Sequence, residues 1–250
     1  MAEQLDLTIV YEPGEEGWVI ASIHEVAASD HRCMKRRDLE RHLHAHGCRR
    51  RTITRADSER PRRIPRVRKP ERLYFTDSDE ANELIASDPL ALLIGFALDQ
   101  QVTVQKAFSG PLAIKQRLGS LDAAAIAEAD LEAVFREKPA VHRFPGSMAK
   151  RVRQLSEHVC DRYDGDAAAV WTHARDAREL RANIEALPGF GEMKVIALAA
   201  VLAKRFGVKA AEGLVPDRLT LGDVDSAQAL AEYQAQKKAE KAERKLAAGR

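Results

Sequence analysis

Apolar positions along this chain change period once. Near the start Leu5, Leu7, Ile9 and Tyr11 alternate, Glu12-Pro13-Gly14-Glu15-Glu16-Gly17 turns the chain, and Trp18 to Ile23 is again mostly apolar. That pattern predicts a β-hairpin. From Tyr74 the spacing is helical. Asp77-Ser78-Asp79-Glu80 supplies a cap and an acidic first turn ahead of Leu84 and Ile85, and Asp88-Pro89 opens a second helix carrying Leu92, Leu93, Phe96 and Ala97. Further helices are predicted over about 103–117, 122–136, 146–163, 166–173, 177–186 and 191–206, punctuated by Pro111, Gly119, Pro139, Gly165, Pro188 and Gly207. No alternating run follows Ile23. The fold class expected is mainly α, with a small N-terminal hairpin-plus-helix extension.

Charge divides the chain differently. Its 250 residues carry a net charge of +2, yet His31 to Arg72 holds 16 Lys/Arg against 5 Asp/Glu, so the remainder is acidic. A basic block of this kind marks nucleic-acid contact or a solvated spacer. Over Arg49 to Arg72, Pro61, Pro65 and Pro70 with almost no apolar periodicity favour an extended linker. The expected organisation is a hairpin over 1–30, a short basic helix over 31–50, an Arg/Pro-rich linker over 51–72, a main domain over 73–222 and a basic helical tail over 223–250. With 45% hydrophobic and 31% charged residues the composition is that of a globular protein. Three scattered cysteines, no signal peptide and no membrane-length apolar run lead to an expected cytoplasmic location without membrane partners.

The richest chemistry lies in Leu187-Pro188-Gly189-Phe190-Gly191-Glu192-Met193-Lys194, which precedes the apolar run Val195 to Leu202. Glycines one residue apart allow a turn whose N–H groups point outward together beside the positive end of a helix, a cradle for a phosphate oxygen. An ordinary corner between two helices is the alternative. Two further segments accompany the turn. Asp88 to Ile94 leads into Leu98-Asp99-Gln100-Gln101-Val102-Thr103, and His142-Arg143-Phe144-Pro145-Gly146-Ser147-Met148-Ala149-Lys150-Arg151 opens a helix. In that order the three resemble the helix-hairpin-helix DNA glycosylase superfamily, over roughly residues 73–210.

The resemblance implies a two-lobed helical fold around a cleft, double-stranded DNA as partner, a nucleoid-associated monomer, and hydrolysis of the N-glycosidic bond of an extruded damaged base. It implies DNA contact by Gly189, Phe190, Gly191 and Lys194, by Lys150 and Arg151 on phosphates, and by Gln100 or, in preference, Gln101 as the wedge filling the vacated stack. Where bifunctional members carry a Schiff-base lysine this chain has Met193. Lys194 follows one residue later, rotated about 100° around the helix, and is expected to face elsewhere unless the helix start slips. Where the family keeps a catalytic aspartate the chain has Ala211 and Glu212. Asp217, Glu212 and Asp99 are therefore the candidate acids, with Lys194 a further catalytic candidate. Phe96 stands where the adenine glycosylases have a glutamate.

The family's four-cysteine iron–sulfur loop is missing and Cys160 is expected in a core, so no cofactor is expected. Residues 1–23 resemble the opening hairpin of HicB-type antitoxins, and Met34 to Leu43 the first helix of HicA-type toxins, both truncated. His31, Cys33, His42, His44, His46 and Cys48 lack paired metal-ligand spacing, and no metal is expected. The tail Ser226–Arg250 reads as a solvated basic helix with at most a weak DNA-backbone contact. Two other readings stay open: a non-catalytic binder of lesions or DNA structures with the same fold, and a toxin–antitoxin-derived RNA or protein binder acting through residues 1–70.

Overall fold

The computed structural model describes the backbone at residues 7–13 and 19–25 and the chain from 70 to 248. The chain divides into two compact units, Met1–Arg63 and Ile64–Arg250. In the first, strands β1 (Leu7–Pro13) and β2 (Val19–Glu25) pair antiparallel, Leu7 opposite Glu25 and Pro13 opposite Val19. The helix expected within 31–50, most of the linker, and the histidine–cysteine group lie outside the described residues.

The second unit is helical among its described residues. It opens with α1 (Asp79–Ser87) and α2 (Pro89–Leu98). Asp88 caps α2 by accepting from the Leu90 and Ala91 N–H groups at 2.9 and 3.1 Å, and Pro89 presets the first turn. Beyond Pro89 every residue of α2 is buried. A helix apolar on all sides belongs at the centre of a core, and α2 packs against both α1 and α3 (Val104–Leu118). The Phe108 ring of α3 meets Phe96 edge-on, centroids 5.1 Å apart at 85°, and Phe75 at 5.0 Å.

Pro111 lies inside α3, within the helix expected over about 103–117. It forgoes one ladder bond, and the burial of Ala107, Phe108 and Ile114 on the same helix outweighs that loss. The segment expected as one helix over 122–136 is two, α4 (Ala123–Glu128) and α5 (Leu131–Arg136). Asp130 breaks it, because its carboxylate accepts the Ala133 N–H at 3.3 Å and starts a new helix.

The long α6 (Pro145–Tyr163) packs against α4 and α5, burying Met148, Ala149, Val152, Leu155 and Val159. After a short α7 (Ala169–Thr172) come α8 (Ala177–Glu185), α9 (Glu192–Lys204) and α10 (Lys209–Glu212). A 3₁₀ turn at Leu221–Asp223 then lies against α9. It is clamped by Lys204, whose ammonium donates to both Asp223 oxygens at 2.8 Å, while Asp223 accepts from the Thr220 N–H and hydroxyl.

The last helix, α11 (Ala227–Ala248), departs from the expectation of a merely solvated tail. Leu230 and Tyr233 are buried in the core cluster. Gln234 and Gln105 of α3 exchange amide bonds, one at 2.7 Å and its reciprocal at 3.4 Å. Two apolar anchors one turn apart and an amide pair suffice to dock a helix whose other residues are charged or small. Among the described residues no single helix is long and apolar enough to cross a membrane.

Candidate functional site

The link between α8 and α9 is built by its sequence from Leu187 to Gly191. The Leu187 N–H reaches the Ile184 carbonyl and the Phe190 N–H the Leu187 carbonyl, each at 3.1 Å. Gly189 takes φ +80°, and Gly191, extended at φ −91° and ψ 176°, is the N-cap of α9. The first ladder bonds of α9 run from the Lys194 and Val195 N–H groups to the Gly191 carbonyl. Glycine offers no side-chain cap, so the N–H groups of Glu192 and Met193 are left to outside acceptors.

Arg151 of α6 lies against this turn. A Cβ built on Gly189 would stand 2.7 Å from its Nε, so a side chain there would displace the guanidinium, and the φ of +80° itself favours glycine. One guanidinium nitrogen of Arg151, Nη1, is buried without a hydrogen-bond partner. Lys150, one residue earlier, is exposed and lines a separate groove with Glu132 and Arg153. The two cations are thus split, Arg151 beside the turn and Lys150 away from it.

Phe190 is not a surface residue. It is 5% exposed and belongs to the core cluster, which corrects its expected place among the DNA contacts. Its ring seats Lys194, whose ammonium lies 5.4 Å from the ring centroid and donates to the Ala97 carbonyl at 3.1 Å. The expectation that Lys194 faces away from Met193 also fails. Helical side chains lean back toward the N-terminus; Lys194 reaches over Phe190 to the end of α2, and both residues line the same cavity.

That cavity has a volume of about 510 Å³. Phe96 and Asp99 at the end of α2 and Met193, Lys194 and Ala197 of α9 form its inner wall. Arg218, Leu219 and Thr220 form its rim, and Tyr233, Gln236, Lys237 and Glu240 of α11 its outer wall. Burial raises the Asp99 pKa, opposed by Lys237 and then Lys194. Burial lowers Lys194 to about 8; Asp99 opposes this and Arg151 adds to it. A half-dry ammonium beside a half-dry carboxylate is an arrangement for moving protons or stabilising transient charge near neutral pH.

Of the other expected site residues, Gln101 is exposed with φ 55°, a left-handed backbone rare outside glycine. Gln100 is part-buried, its N–H on the Leu98 carbonyl at 2.7 Å. Beneath this loop His142 is 1% exposed and its Nδ1 accepts the Phe144 N–H at 3.1 Å. Its Nε2 has no partner of regular geometry. Burial lowers its pKa, against a raising influence from the backbone of Gln100 and Leu98. Glu212 and Asp217 are exposed and outside the cavity lining, and Ala211 is buried. The structure therefore joins Asp99 and Lys194 and leaves the other two candidate acids apart. Cys160 is part-buried against the core.

Sequence reasoning missed Arg218, Thr220, Tyr233 and Lys237. The one available signal was the isolated apolar pair Leu230 and Tyr233 in an otherwise charged tail. Among the described residues no group of three or more His, Cys, Asp or Glu is placed to hold a metal ion. Comparison of the chain with protein-family models, curated proteins and solved structures finds no match.

Proposed function

We propose that this protein binds duplex DNA across the turn at Gly189–Glu192, with its helices arranged as two lobes of a helix-hairpin-helix glycosylase, and receives an extruded base in the adjoining cavity for N-glycosidic hydrolysis. The observation that carries this reading is convergence. Residues 96–99, 193–197 and 218–240 build one cavity, directly beside a glycine turn with open N–H groups and a buried, unpartnered Arg151 nitrogen.

In this reading a phosphate oxygen accepts from the N–H groups at the start of α9 and from Arg151. Gln101, already held in its unusual left-handed backbone conformation, fills the gap left by the base. Water adds to the anomeric carbon as the carbon–nitrogen bond breaks, and the base leaves with the bonding electrons. Asp99, rather than Asp217 or Glu212, offsets the positive charge developing on the sugar. Lys194 donates a proton to the leaving base, and the proton released by the added water passes to the Lys194 amine so formed, leaving the free base and an abasic sugar.

The test incubates the full chain with duplexes each carrying one damaged base, followed by alkali. Alkali-dependent strand breaks are expected, and Asp99→Asn should abolish them without weakening binding, measured at two salt concentrations. Absence of duplex binding would overturn the reading. A second reading, a non-catalytic lesion binder, is favoured by Met193 and Ala211 at the family's usual catalytic positions and by the exposure of Glu212 and Asp217. Salt-dependent binding without breaks on any duplex would select it.

A further inference from the structure

The outer wall of the cavity differs in chemistry from what a general apolar receptacle would have. Donors crowd it: the Lys194, Arg218 and Lys237 cations and the Gln236 amide line one space, against the carboxylates Asp99 and Glu240, while the Thr220 hydroxyl beside them is spent on Asp223. Aromatic faces are withheld from it. The Phe96 ring is 1% exposed, and the Tyr233 ring is 7% exposed with the Lys237 ammonium 5.1 Å from its centroid. A cationic ligand needs an open π face or an unopposed carboxylate. Here the tyrosine face already carries a cation, and both Lys237 and Lys194 act on the Asp99 carboxylate.

From this we infer that α11 is the specificity wall of the cavity and that the occupant it selects is a neutral, carbonyl-rich nucleobase, such as an oxidised or deaminated pyrimidine, rather than a base made cationic by alkylation. The inference rests on the reading of the cavity as a base receptacle. Carbonyl oxygens accept from the ammonium and guanidinium groups that converge there. A positively charged base meets three cations against two carboxylates, a lining of net positive charge. Lys237 decides between the two, because it occupies the tyrosine face and stands on the wall opposite Lys194. The docking of α11 through Leu230, Tyr233 and the Gln234–Gln105 pair fixes that wall in place.

The experiment uses the full chain and two free bases, 5-hydroxyuracil as the carbonyl-rich neutral probe and 7,9-dimethylguaninium as the cationic one, with affinities measured by ligand-observed NMR. The neutral base is expected to bind about tenfold more tightly. Lys237→Glu, with helicity retained by circular dichroism, should erase or invert that preference, and Lys237→Gln should fall between. Equal or tighter binding of the cation, no binding of either base, or a ratio unchanged in Lys237→Glu would overturn the inference. A gel shift on duplex DNA, run in parallel, reports on the DNA-binding reading separately. Loss of the duplex shift with the base preference intact would sink that reading and leave the selectivity of the cavity standing.

Discussion

The inner and outer walls of the cavity are made by opposite strategies. The inner wall comes from α2, buried throughout beyond Pro89, and from α9, anchored by Val195, Leu198, Ala199, Ala200, Val201 and Leu202, so that the polar groups at their ends, Asp99 and Lys194, are held by the core itself. The outer wall comes from α11, where among the described residues Leu230 and Tyr233 alone reach the core and Gln236 and Lys237 remain exposed. Burial pulls the pKa of the inner-wall lysine, Lys194, down to about 8, whereas Lys237 of the outer wall faces solvent. A site so divided has a rigid, electrostatically tuned side and a side that can be redecorated at little cost to the fold.

The sharpest way to break this contrast is to empty each wall in turn. Phe96→Ala should cost about 3–5 kcal/mol and lower the melting temperature of the whole helical unit. Tyr233→Ala should cost about 2 kcal/mol, with faster amide exchange confined to α11. Equal losses, or exchange spreading into α9, would show the two walls to be one.

A smaller effect follows from Lys194. Its pKa is about 8 in the folded chain against an ordinary 10.5. Between those values the unfolded chain holds more protons, so stability should rise with pH across that window, while below about pH 8 the term is constant. Lys194→Met should flatten the rise by on the order of 1–2 kcal/mol, allowing for partial solvent contact, as read from urea unfolding at about pH 7.5 and about pH 10.

The smallest effect concerns how the outer wall is fastened. A double-mutant cycle on Gln105→Ala and Gln234→Ala should return a coupling of about 1 kcal/mol. Zero coupling would mean that Leu230 and Tyr233 dock α11 unaided.

The same division explains what could be read from sequence. The inner wall was legible because its physics is local. Asp88-Pro89 before an apolar run announces α2, and Pro188-Gly189 before another announces α9. Asp99 and Lys194 stood out through the resemblance, one as a carboxylate beside Gln100 and Gln101, the other as a lysine one residue past the family's position. The direction of Lys194 was not legible, since a long flexible stem bends across Phe190 to the Ala97 carbonyl, a partner 97 residues distant. The outer wall was illegible because Gln234 finds its amide partner 129 residues away and the surrounding Ala, Lys and Glu describe any solvated helix. Asp130, which splits α4 from α5, is a local signal that helical periodicity overrode.

The Lys194–Ala97 bond also aims the ammonium. One of its three N–H donors is spent on the carbonyl at the negative end of α2, and the Phe190 ring lies 5.4 Å from the nitrogen, so the remaining donors turn about a fixed point. A visitor therefore meets a cation already in position, with no backbone partner to displace.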